Sequence, residues 1–220
     1  MFECVVFDLD GTLLNTLDDL ADAGNYALRR MGFPEHDTDK YRYFVGNGIP
    51  KLISRIVPKG CDDDAINGVH DFFTDYYEKH CFDKTRPYDQ ITVMLGRIKE
   101  KGIKTAVATN KDHNFSVKLV GDFFGNKIDM VCGRKDGSPK KPDPYSVNYI
   151  LNSLKADKKT VLYVGDSNVD METALNAGVK SCGVLWGFRT KQELIESGAV
   201  YIAASVEELY RLITDESFIR

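Results

Sequence analysis

The feature that most constrains the fold of this chain lies at its start, where the apolar run Cys4-Val5-Val6-Phe7 passes directly into Asp8-Leu9-Asp10-Gly11-Thr12-Leu13-Leu14. Four β-branched, aromatic and small apolar residues are too few for a buried helix and read as a buried strand. The strand stops in two carboxylates two residues apart. Period-two geometry sets Asp8 and Asp10 on the same side as the chain leaves the sheet, and Gly11 permits a sharp backbone turn. Acids placed this way share one metal, divide one reaction between them, or merely solvate a strand end.

Composition narrows the class. At 220 residues the chain suits one large domain, or one domain carrying an insertion. With 43% hydrophobic and 28% charged residues it has an ordinary globular balance. No run approaches the roughly 18 apolar residues of a membrane span. No basic, apolar leader opens the chain, so the expectation is a cytoplasmic protein with no membrane partner. The net charge of −4 and the absence of a dense Lys/Arg stripe argue against a nucleic-acid partner. Cys4, Cys61, Cys81, Cys132 and Cys182 are dispersed with no Cys-x-x-Cys pair, which suits reduced thiols. His36, His70, His80 and His113 show no metal-ligand spacing. Oligomeric state leaves no mark in the sequence.

From Gly102 onward apolar runs alternate with helical spacing. Ile103 to Thr109, Ile128 to Cys132, Val161 to Gly165 and Ser181 to Leu185 read as strands. Phe115 to Phe124, Pro144 to Leu154 and Val169 to Ala177 read as helices, the last closed by Gly178. Joined to the first strand, this is the pattern of an α/β, Rossmann-like, doubly wound parallel sheet. Between Asn15 and Arg86 the spacing is helical over Leu17 to Met31, Ile49 to Ile56 and Asp62 to Cys81, without a convincing strand. The expected organisation is therefore a core of residues 1–14 and 87–220 interrupted by a helical insertion over 15–86. An insertion starting just after the acid pair is positioned to act as a lid.

In open parallel sheets ligands bind beyond the carboxyl ends of the strands, so the residues at those ends carry the information. The first strand ends in Asp8 and Asp10, another in Thr109-Asn110-Lys111, and another in Gly165-Asp166-Ser167-Asn168-Val169-Asp170; Lys140-Lys141-Pro142-Asp143-Pro144 opens a helix between them. Phosphoryl transfer demands in-line positioning and neutralisation of charge on the equatorial oxygens. A carboxylate nucleophile, hard oxygen ligands for Mg²⁺ from Asp8 and Asp166, an ammonium from Lys141 and a hydroxyl from Thr109 meet those demands. Each residue alone has a plain structural reading as a strand end, a turn or a helix cap; the ordered set does not.

At these residues the chain resembles the haloacid dehalogenase-like hydrolases, whose motifs run Asp-x-Asp-x-Thr, Ser/Thr, Lys, then Gly-Asp-x-x-x-Asp. They match here as Asp8/Asp10/Thr12, Thr109, Lys141 and Asp166/Asp170. The resemblance implies a Rossmann-like core with an inserted helical cap domain and Mg²⁺-dependent chemistry through an aspartyl-phosphate. It further implies that Asp8 attacks phosphorus and Asp10 acts as general acid and base. It assigns the metal to Asp8, the Asp10 carbonyl and Asp166, with Asp170 as an outer partner, and the phosphoryl group to Thr109, with Asn110 beside it, and Lys141.

Asp10 separates the chain from the true dehalogenases, which lack that acid, and Gly-Thr-Leu-Leu suits phosphatases better than phosphomutases. Similarity to phosphoglycolate phosphatases runs through Arg42-Tyr43-Phe44-Val45-Gly46-Asn47-Gly48, Arg86-Pro87-Tyr88, Thr109-Asn110-Lys111 and Trp186-Gly187-Phe188. It implies a small phosphate ester as substrate, with Gly46 and Asn47 in a substrate loop and Arg42 as a carboxylate binder; the alternative there is an ordinary helix-entry turn with a solvated Arg. Asn15-Thr16 departs from the usual Asp-Ser. A pyrophosphatase, a nucleotidase or a β-phosphoglucomutase-like enzyme shares the core motifs, and a phosphoacceptor signalling module is the non-enzymatic alternative.

Overall fold

A computed structural model describes residues 1–215. In chain order its strands are β1 (Cys4–Phe7), β2 (Leu14–Asn15), β3 (Arg86–Pro87), β4 (Lys104–Asp112), β5 (Met130–Arg134), β6 (Val161–Gly165), β7 (Lys180–Val184) and β8 (Tyr201–Ala203). Its α-helices are α1 (Leu17–Arg30), α2 (Tyr41–Phe44), α3 (Ile49–Ile56), α4 (Asp63–His80), α5 (Ile91–Glu100), α6 (His113–Phe124), α7 (Tyr145–Leu154), α8 (Asn168–Ala177), α9 (Lys191–Glu196) and α10 (Val206–Thr214). The chain divides into two compact units, one of Met1–Leu14 with Pro87 onward, the other of Asn15–Arg86.

The first unit is built on a six-stranded sheet in the order β5-β4-β1-β6-β7-β8. Every pairing is parallel. Strand β1 lies centrally, with Phe7 in register with Val107 on one side and Val164 on the other. A central parallel strand has helices over both faces, and Cys4 through Phe7 are accordingly inaccessible to solvent. Cys4, Val6, Ala106, Ala108, Val161 and Tyr163 pack with Val147 and Ile150 of α7 and Ala174 of α8 on one face. Alternation sends Val5, Phe7, Val107 and Val164 to the other face. Each fully buried side chain of this size contributes about 1.5–3 kcal/mol, so the sheet holds the ends of β1, β4 and β6 in fixed relation.

Two departures from the sequence reading follow from one irregularity. Strand β4 does not stop at Thr109 but continues to Asp112, and β5 runs to Arg134 rather than ending at Cys132. Their register is regular through Ala108↔Cys132 and shifts before Asp112↔Arg134, a β-bulge. Polar residues that read as a loop are kept in the ladder by that bulge. Strand β8 is only three residues long, and α5, α9 and α10 add to the helices the spacing points to.

In the second unit α1 packs along α4. Leu17, Leu20, Ala21, Gly24, Ala27 and Leu28 form the buried stripe of α1 at helical spacing, and Val69, Phe73 and Tyr77 form that of α4. Gly24 makes a close approach possible: a Cβ there would lie 2.3 Å from the Tyr41 hydroxyl oxygen. The unit ties its own ends together. The buried Asp19 carboxylate on α1 accepts the main-chain N–H groups of Lys84 at 2.9 Å and Thr85 at 2.8 Å. Among the described residues no helix is long and apolar enough to cross a membrane.

Candidate active site

The site is built where β1, β4 and β6 end. Asp8 prolongs β1, its N–H donating to Val164 O at 2.8 Å. The chain then turns tightly: Leu9 O accepts from Leu13 N and Leu14 N at 3.0 Å, and Gly11 N donates to Leu14 O at 2.8 Å. Gly11 has φ +88°, which a residue with a side chain adopts only with strain.

Lys141 reaches into this end of the sheet and is buried. Its Nζ lies 2.9 Å from Asp8 Oδ1, 2.7 Å from Asp170 Oδ1 and 3.1 Å from the Tyr163 hydroxyl. The three contacts match the three protons of an ammonium, although the approach to Asp8 is too oblique for a well-directed hydrogen bond and leaves Oδ1 without one. Burial opposes the charge on Lys141, but the Asp170 and Asp8 carboxylates outweigh it and hold the amine well above the usual lysine range. Asp170 is fully engaged: Oδ1 also faces the Tyr163 hydroxyl at 3.1 Å, and Oδ2 accepts from Ser167 N at 3.0 Å and Ser167 Oγ at 2.6 Å. That last pair is the reach-back of a helix N-terminus, so the acid in the first turn of α8 also anchors the lysine. Gly165 gives it room, since a Cβ there would lie 2.3 Å from Asp170 Cβ.

Asp166 sits between two glycines. A Cβ on Gly11 would come within 2.3 Å of its Oδ2, and one on Gly187 within 2.3 Å of its Cβ. Phe188 N donates to Asp166 Oδ2 at 2.7 Å and Thr12 Oγ1 to Oδ1 at 3.4 Å, while Trp186 Nε1 donates to Thr12 O at 3.0 Å. Burial, and next the charges of Asp170 and Asp8, raise the Asp166 carboxyl well above the ordinary carboxylate range. The same causes, burial first and Asp170 second, push Asp8 up to about 7 against the pull of Lys141.

The bulged end of β4 supplies the third side. Thr109, Asn110 and Lys111 are all buried there. Thr109 Oγ1 accepts from Lys111 N at 3.2 Å and keeps its own proton to donate. The Asn110 amide brackets the Lys141 main chain, Oδ1 accepting from Lys141 N at 2.8 Å and Nδ2 donating to Lys141 O at 3.2 Å. Its geometry holds the lysine in place. Lys111 Nζ contacts both oxygens of Asp10, at 3.1 and 3.2 Å.

A family model described as "Haloacid dehalogenase-like hydrolase" matches residues 5–184. The chain belongs to the haloacid dehalogenase-like hydrolases. A phosphoglycolate phosphatase of Vibrio parahaemolyticus is 28% identical over 95% of each chain. One of Pseudomonas syringae pv. syringae is 30% identical over 95% of this chain and 78% of its own length. Among solved structures, an inferred phosphoglycolate phosphatase from Lactobacillus delbrueckii subsp. bulgaricus superposes with a TM-score of 0.93 at 29% identity, covering 98% of this chain and 99% of that one. The chain is thus a phosphatase of this family, with the family's parallel α/β core.

The fold brings three acids of this chain together. Asp8, Asp166 and Asp170 are buried and offer oxygen atoms all within 4.8 Å of one another. Among the described residues these three clustered carboxylates gather around the Lys141 ammonium, and all the donors they offer are hard oxygens. With Asp8 Oδ1 lacking a directed hydrogen bond, the residues fit a small divalent cation. The oxygens of Asp170 are already spent on four hydrogen bonds, so Asp8 and Asp166 are the better placed ligands.

Of the other residues singled out from sequence, Arg42, Gly46 and Asn47 belong to the second unit. Arg42 Nε is 3.9 Å from Asp39 Oδ1, with the side chain 44% exposed. Asn47 Oδ1 accepts from Arg55 Nη2 at 2.8 Å while Arg55 Nη1 donates to Phe44 O at 2.9 Å, so Arg55 staples the loop that contains Gly46 (φ +111°). Three groups escaped the sequence reading. Tyr163 looks like a core residue, and nothing local announces its hydroxyl contacts. The Phe188 N–H is main chain, signalled only by the Trp186-Gly187-Phe188 run. Lys111 was visible as part of Thr109-Asn110-Lys111, but not its partner.

Proposed function

We propose that the protein hydrolyses a small phosphate monoester, of the phosphoglycolate kind, through an aspartyl-phosphate on Asp8. The observation that carries this reading is the Lys141 clamp, whose Nζ stands 2.9 Å from Asp8 Oδ1 and 2.7 Å from Asp170 Oδ1. A phosphoryl group presented to Asp8 meets an ammionium already held at the attacking oxygen. The carboxylate of Asp8 attacks phosphorus, forming an O–P bond as the ester P–O bond breaks, and Asp10 gives its proton to the departing alkoxide. Asp10 then takes a proton from water, which attacks the same phosphorus and releases phosphate and Asp8. Thr109 and Lys141 donate to the equatorial oxygens, with Asn110 fixing the main chain of Lys141. Asp8 and Asp166, with the Asp10 carbonyl, would hold Mg²⁺, and Asp170 would support it from behind Lys141. When bound, Mg²⁺ supplies charge neutralisation at the transferring group. The unit Asn15–Arg86 serves as the cap domain on this reading, with Arg42 and the Gly46–Asn47 loop choosing the leaving group. The names of the relatives support phosphoglycolate as the ester to try first.

The test is phosphate release from a panel that includes 2-phosphoglycolate and pyrophosphate, with Mg²⁺ and with chelator, in wild type and Asp8→Asn. Release that requires both Mg²⁺ and Asp8 is expected. Turnover by Asp8→Asn at the wild-type rate overturns the reading.

A further inference from the structure

We infer that Lys111 is a positioning residue that aims the Asp10 carboxylate at the leaving-group oxygen, an inference resting on the reading of Asp10 as proton donor. Its Nζ contacts both Asp10 oxygens, at 3.1 and 3.2 Å, with the Lys111 side chain 4% and that of Asp10 13% exposed. A two-point contact fixes the plane of a carboxylate, which a single hydrogen bond leaves free to rotate. Each Asp10 oxygen retains acceptor capacity, because a carboxylate offers about four lone-pair directions and the ammonium uses two.

The lysine can serve this purpose because its main chain is held. Lys111 N donates to Thr109 Oγ1 at 3.2 Å, and Lys111 O accepts from Ser116 Oγ at 3.5 Å. Strand β5 runs tightly past it: a Cβ on Gly133 would lie 3.0 Å from Lys111 O. The bulge between Ala108 and Asp112 is the device that re-aims this stretch of β4. Thr109, the phosphoryl-group donor of the proposed reaction, is therefore hydrogen-bonded to the residue that orients the acid. Without Lys111 the Asp10 side chain, sitting just before the Gly11 turn, loses the cation that the structure sets on both of its oxygens.

Proton donation matters most when the leaving group is a poor one. The experiment compares kcat and KM on 2-phosphoglycolate, a carboxylate-free alkyl phosphate and p-nitrophenyl phosphate for wild type, Lys111→Met, Lys111→Gln, Lys111→Arg and Asp10→Asn, each checked for folding by circular dichroism. Expected for Lys111→Met, and for Lys111→Gln should the methionine variant fail to fold, is a loss in kcat/KM, which reports only as far as departure of the leaving group, of about ten- to a hundredfold on both alkyl esters. On the aryl ester, whose leaving group needs little protonation, the loss in kcat/KM should be under about threefold. Lys111→Arg should recover most of the alkyl rate. Equal losses on all three esters, or none, overturn the inference while Asp10→Asn keeps its alkyl-selective loss. A KM increase confined to 2-phosphoglycolate with kcat preserved also overturns it, because Lys111 would then bind substrate. An Asp10→Asn variant with no alkyl selectivity removes the basis of both.

Discussion

The two acids of the first motif occupy opposite electrostatic situations although one residue separates them. Among the described residues Asp10 meets the Lys111 ammonium with both oxygens and keeps some contact with solvent. Asp8 shares one ammonium, Lys141, with Asp170 and has Asp166 beside it, all buried. The carboxyl of the crowded acid is pushed up to about 7, chiefly by burial and then by Asp170. On the proposed mechanism the crowded acid is the nucleophile and its neighbour the proton carrier.

The strongest way to break this contrast is Asp8→Asn, which on the proposed mechanism removes the nucleophile and should reduce kcat by roughly 10⁴-fold or more in a phosphate-release assay. Lys141→Met removes the ammonium that contacts both Asp8 and Asp170. Leaving buried carboxylates unpaired should cost about 3–5 kcal/mol in urea unfolding, against a smaller loss for Lys111→Met, whose partner keeps some solvent. Equal destabilisation by the two would erase the contrast.

Gly187→Ala probes the Asp166 cradle, where the added Cβ would stand 2.5 Å from Asp166 Oδ2. A displaced Asp166 should weaken Mg²⁺ binding about 10- to 100-fold by calorimetry. The crowded side also predicts a pH dependence. An acid whose folded pKa is raised binds its proton more tightly folded than unfolded, so in chelator the stability contributed by Asp8 is full below about pH 4 and is lost as pH rises to about 7. Mg²⁺ competes with that proton. The Mg²⁺-induced rise in Tm should therefore be larger at pH 8 than at pH 6, and a shift independent of pH would remove Asp8 from the cation site. The smallest effect is that of Tyr163→Phe, which takes a hydroxyl from Lys141 and Asp170 and should cost about 1 kcal/mol.

What could be read from sequence followed from locality. Strands β1 and β6 and helix α3 have the limits their apolar spacing indicates, since burial on both faces leaves an uninterrupted run in Cys4–Phe7 and Val161–Gly165. The polar end of β4 could not be read, because Asn110 and Lys111 stay in the sheet only through a bulge against β5. The site residues were nameable one by one at strand ends, yet their pairings join positions far apart in the chain. That Lys141 grips Asp170, or Lys111 Asp10, is a product of the sheet order and has no signature in either residue's neighbours.

The buried Asp19 carboxylate closes the second unit upon itself through the N–H groups of Lys84 and Thr85, and Tyr88 N donates to Leu13 O where the first unit resumes. Each unit thus brings its own loose ends together. The entropy of closing a loop grows only with the logarithm of its length, so the chain between these two clasps can lengthen, shorten or be replaced at little cost to the sheet. On the proposed reading, selectivity written into that segment can be revised by evolution while the phosphoryl chemistry of the other unit stays untouched.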